Sequence, residues 1–147
     1  MVALFALAVL ALLTTRAMEN QQTSERRARE EELMFVGQAY LAAIAQYYEQ
    51  SPGTEKHFPA ALQDLLLDTR TVRLRRPLRR LYPDPVGGGA DWGVVQASDG
   101  GIMGVYSLST REPVKVHGFP EKFAAFSQAK SYRDWVFSYA PPSGAQP

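Results

Sequence analysis

Residues 2–50 read VALFALAVLALLTTRAMENQQTSERRAREEELMFVGQAYLAAIAQYYEQ, and the way this run changes character along its length decides the fold. Positions 2–13 are unbroken Val, Ala, Leu and Phe. From 16 to 50 there is no proline and one glycine, Gly37, and the residues that dominate are strong helix formers. Glu25 with Arg29, Arg26 with Glu30, and Arg27 with Glu31 are opposite charges four apart, each pair contributing about 0.2 to 0.5 kcal/mol on a solvated helix. Beyond them Leu33, Val36, Tyr40, Ala43, Ile44 and Tyr47 recur at three- and four-residue spacing, so that face must be buried. One helix is therefore expected to be apolar all round, then charged all round, then amphipathic, and to stop at Ser51, Pro52 and Gly53.

The apolar part is short for a membrane span. Twelve to fourteen residues cover about 18 to 21 Å of helix, against about 30 Å of hydrocarbon. A cleaved secretory signal is the rival, but no basic residue precedes the run, and the small-x-small candidate Thr15-Arg16-Ala17 encloses an arginine. As a simple anchor, the run followed by Arg26, Arg27 and Arg29 would hold the rest of the chain in the cytoplasm. A true start several residues upstream, supplying a basic leader and more apolar residues, is the expectation that reconciles both.

The remaining residues allow one modest domain. The chain has 147 residues, 46% of them apolar, and a formal charge of +1, which gives no whole-chain pull toward nucleic acid or an acidic substrate. It has no cysteine, which excludes disulfides, thiolate zinc sites, thiol nucleophiles and a lipoprotein anchor. The organisation expected is an apolar membrane segment over 1–15, a continuing helix over 16–50, an α+β head over 54–140 and a disordered tail over 141–147. Within the head, Phe58-Pro59 opens a helix over 60–67 with Leu62, Leu65 and Leu66 on one face. Six arginines then fall within 70–80, and the breaker-rich stretch 82–89 follows. Strands are expected over 92–96, 102–107, 113–116 and 135–139, the first two joined by a hairpin turn at Ser98-Asp99-Gly100-Gly101.

Phe58, Pro59, Leu62 and Leu65, then Asp84, Pro85 and Gly87, then Trp92, then Ser107-Leu108 at the end of a strand, set behind one long N-terminal helix, resemble the type II secretion pseudopilins of the type IV pilin-like group. The resemblance spans nearly the whole chain and rests on order and spacing. It implies a long helix packed against a small antiparallel sheet, a single pass through a bacterial inner membrane with the head in the periplasm, and assembly into a short filament for protein secretion. Implied partners are other copies, other pseudopilins, the inner-membrane secretion platform and lipid. Two features depart from the family. Its prepilin peptidase site, Gly-Phe-Thr-x-x-x-Glu, which governs cleavage and methylation, is absent from these residues, and Ser107-Leu108-Ser109-Thr110-Arg111-Glu112 stands where major pseudopilins carry a calcium loop, Ser-Leu-Gly-x-Asp-Gly.

Asp84, Asp91 and Asp99 are weak calcium candidates, since each also has a local use in a turn or at a strand start. His57 and His117 lie in unrelated contexts, no Gly-x-Ser-x-Gly elbow is present, and neither an enzyme nor a cofactor is expected. The arginines lack interleaved aromatic residues, so a solvated edge is favoured over nucleic acid. The residues expected to carry assembly are Val2, Leu4, Leu10 and Leu13 in the apolar stripe, Glu30, Glu31 and Glu32 in the charged collar, and Arg75 and Arg76 meeting that collar on a neighbouring copy. The alternative is a membrane-tethered periplasmic module that binds a partner through its head and never polymerises.

Overall fold

The computed structural model describes residues 1–89 and 91–142. Most of the expected tail, residues 143–147, lies outside them. Helix α1 (Val2–Glu49) runs unbroken for 48 residues, about 72 Å at 1.5 Å per residue. Its expected stripe is its buried stripe: Leu33, Val36, Tyr40, Ala43, Ile44 and Tyr47 are all buried, joined by Met34 and Gly37. They face a three-stranded antiparallel sheet of β1 (Gly93–Gln96), β2 (Ile102–Tyr106) and β3 (Val136–Ser138), in the order β1-β2-β3. In β2 and β3, Gly104 pairs with Ser138, Val105 with Phe137 and Tyr106 with Val136. The fold is α+β, one long helix laid across a small sheet, and this is a pilin-like architecture.

Gly37 lets that layer close. A Cβ built there would lie 2.4 Å from the Phe137 ring, so a side chain at 37 would push β3 off the helix. The core is aromatic, as a thin layer between one helix and three short strands requires. Phe126 stacks on Trp135 at 5.5 Å between centroids and meets Phe137 edge-on at 5.3 Å. Phe123 and Tyr132 complete the buried group.

Two expected elements change. The helix over 60–67 contracts to a single 3-10 turn, Leu62–Leu65, in which the Asp64 carboxylate accepts from the Ala61 amide and Leu65 alone is fully buried. Leu78 then donates its amide to the Leu65 carbonyl, so the chain turns away to make that contact instead of propagating a helix. The strand over 113–116 is not a strand. Its amides are taken by a helix side chain, and the third strand of the sheet is β3 instead. Between them, residues 121–134 form short 3-10 turns, the longer one broken at Phe123, whose φ of −119° is non-helical.

Candidate assembly surface

Residues 2–25 of α1 are all exposed, so about 36 Å of helix projects beyond the other described residues. Val2, Leu4, Leu10 and Leu13 lie on this projection with Phe5, Leu7 and Leu12. The Thr14 and Thr15 hydroxyls, which would otherwise interrupt the apolar surface, donate to the carbonyls of Leu10 and Ala11. They therefore carry no unmet polar group. Near its N-terminus α1 is long and apolar enough to cross a membrane.

The charged collar does not behave as one unit. Glu30 is 1% exposed, whereas Glu31 and Glu32 face solvent. The Glu30 carboxylate accepts from the Val114 amide at 2.6 Å, from the Lys115 amide at 3.2 Å and from the Tyr132 hydroxyl at 2.8 Å. Two backbone donors and a phenol thus satisfy a buried anion. Burial, then this hydrogen bond to Glu30, raises the Tyr132 pKa. Arg26 donates to the Glu112 carbonyl at 2.8 Å, and none of the three four-apart pairs closes into an ion pair. Arg26 and Glu30 instead strap residues 112–115 to the helix, so Glu30 is committed inside its own chain. Arg27, Glu31, Lys115 and His117 rim an open cleft beside it.

The arginine run divides in the same way. Arg70 is held: its Nε and Nη2 donate to Asp68 at 2.8 Å, Nη2 to the Tyr47 carbonyl at 2.7 Å and Nη1 to the Ser51 hydroxyl at 2.9 Å. The guanidinium lies 3.5 Å from the Tyr47 ring centroid. It therefore satisfies a carbonyl in the last turn of α1 and favours the negative end of the helix. Its hydrogen bonds to Asp68 hold that carboxyl below the usual range. Asp68 and Arg75 also pair through their backbones, closing residues 69–74 into a finger that exposes Val72 completely and Leu74 by 64%. Arg75 is half-buried and Arg76 exposed. Among the described residues, Arg73, Arg75, Arg76, Arg79 and Arg80 form no ion pair.

The acidic candidates are not gathered. Asp84 is buried, with Oδ1 accepting from the Val86 amide and Oδ2 from the Ser107 hydroxyl at 2.7 Å and the Leu108 amide. A Cβ at Gly87 would lie 2.1 Å from that Oδ2, so the glycine leaves room for the carboxylate. Asp99 accepts from the Gly101 and Phe58 amides, and Asp91 is exposed. No group of three or more ligand-type side chains occurs among the described residues. Tyr82 ties the turn to the helix, donating its amide to the Tyr40 hydroxyl while its carbonyl accepts from Tyr40 and from the Trp92 indole. Sequence reading missed Tyr132 and Asp68 as partners. Comparison with protein-family models, with characterised proteins and with solved structures found no match.

Proposed function

We propose that this chain is a structural subunit of a type IV pilin-like filament, a pseudopilin of a type II secretion apparatus, anchored once in a bacterial inner membrane with its head in the periplasm. The observation that carries this is the projecting half of α1, apolar first and charged after, exposed along residues 2–25 with no partner among the described residues. Leaving the eight large apolar side chains within residues 2–13, Leu4, Phe5 and Leu10 among them, in water forgoes about 1.5 to 3 kcal/mol each, about 12 to 24 kcal/mol together, as much as the whole stability of a domain. Lipid supplies that burial before assembly, and the same surface on other copies supplies it afterwards. The charged stretch that follows stays helical and spaces the head from the membrane. Copies related by such a contact present different patches to one another, and the assembly grows without closing. The role requires no chemistry, cofactor or metal of the subunit.

The test is to crosslink the full chain in membranes of cells that carry its own secretion genes. Multimers beyond the dimer are expected, and replacing residues 2–13 with a cleavable signal peptide should leave a monomeric head in the periplasm. A full chain that remains anchored yet monomeric would instead identify a tethered binding module.

A further inference from the structure

Two exposed patches of opposite charge form no ion pair among the described residues, although Arg76 donates to the Leu66 and Arg79 carbonyls. The first is on α1, where Phe35 is 66% exposed and Glu31 and Glu32, four and three residues before it, share its face and form no ion pair. The second is the finger, whose apolar tip of Val72 and Leu74 stands among Arg73, Arg75 and Arg76. One patch is an apolar side chain beside two carboxylates. The other is two apolar side chains beside guanidinium groups. Both charge and apolarity are therefore complementary, and each would leave the other's large apolar side chains covered.

We propose that the finger of one copy docks on the Glu31-Glu32-Phe35 face of a second copy, Val72 and Leu74 covering Phe35 and Arg73 and Arg76 meeting the two carboxylates. This rests on the filament reading and names one contact that orders it. The finger is pinned level with the end of α1, because Arg70 binds the Tyr47 carbonyl and Ser51. The acceptor face lies about 14 residues earlier on the helix, so the two copies are offset along the axis by about 20 Å. A contact between different patches with an axial offset repeats indefinitely and generates a helical array. Glu30 takes no part, since its carboxylate is occupied by Val114, Lys115 and Tyr132.

The chain has no cysteine, so disulfide mapping has a clean background. Full-length Phe35→Cys and Val72→Cys chains, both altered at exposed positions, are produced together in membranes and oxidised. A mixed dimer is expected, absent from either chain alone, and the doubly substituted chain should give a ladder. A parallel pair of chains carrying Leu10→Cys reports association through the apolar helix. Leu10 dimers without the Phe35–Val72 product would overturn the finger contact while leaving the filament intact; loss of both products would overturn the filament and the contact with it. A second measurement uses charge alone. Glu31→Arg with Glu32→Arg should abolish the mixed dimer, and Arg73→Glu with Arg76→Glu on the other chain should restore it at least severalfold. A mixed dimer that ignores both reversals would show that the patches meet by chance collision, contrary to the proposal.

Discussion

Glu30→Ala is the perturbation that examines the head most sharply. It removes one carboxylate and leaves three donors, the Val114 and Lys115 amides and the Tyr132 hydroxyl, in a site where the glutamate itself was only 1% exposed. Each buried donor left without an acceptor costs about 1 to 3 kcal/mol, but the strap can peel from the helix and let water reach the amides, which caps the sum. A loss of about 3 to 4 kcal/mol follows, a large share of the 5 to 15 kcal/mol of a typical domain. For a head of this size that lowers the melting temperature by about 10 to 25 °C. Hydrogen exchange on the full chain in detergent reads the same event locally: the Val114 and Lys115 amides should lose protection first, with β2 retaining it. Glu31→Ala, on the exposed side, should stay within about 0.5 kcal/mol of the unaltered chain. Equal melting temperatures for the two variants, with 114 and 115 still protected in Glu30→Ala, would refute the strap.

Other substitutions address the remaining contacts. Arg70→Ala strands the buried Asp68 carboxylate and two acceptors at the end of α1, costing about 3 kcal/mol by chemical denaturation, at the lower end for a broken buried pair because Arg70 keeps some exposure. Asp68 has a folded pKa below its usual 3.8, so this pair's stabilisation is fully present above the unfolded value and is lost as pH falls through the folded one; Asp68→Asn should flatten that acid dependence. Gly37→Ala gains about 1 kcal/mol of helix propensity but drives a methyl into the Phe137 ring, and a net loss of about 1 to 3 kcal/mol in thermal unfolding is expected. Tyr139 donates to Glu49 and its pKa is raised to about 12, so Glu49→Gln should move one of the late-ionising tyrosines in an ultraviolet titration back toward 10.

What the sequence revealed follows the range of the interactions. The buried stripe of α1 was legible because a helix advertises its buried face every three or four residues, and the β1-β2 hairpin because Asp99 and Gly100 mark its turn locally. The strap was not, since Glu30 meets Val114 and Tyr132 across 84 and 102 residues. An amide bound by a glutamate from another element looks, in sequence, like an amide in a strand. The contracted turn at Leu62–Leu65 has the same cause, the distant Leu78 claiming the Leu65 carbonyl. Charges misled for a related reason: i,i+4 spacing places two side chains within reach but does not make each the other's best partner, and Arg26 and Glu30 each found a better one in the head. Phe119, Phe123 and Phe126, at spacings of four and three, carried a signal for the aromatic cluster that could have been read.

The projecting half of α1 bears most directly on what the chain does, and electron microscopy of material sheared from its native host, labelled with an antibody to the head, tests it. The account predicts filaments labelled along their length, with residues 2–25 packed at the centre and the heads outside. Label confined to membranes that bear no filaments, with the chain present there as monomers, would contradict it.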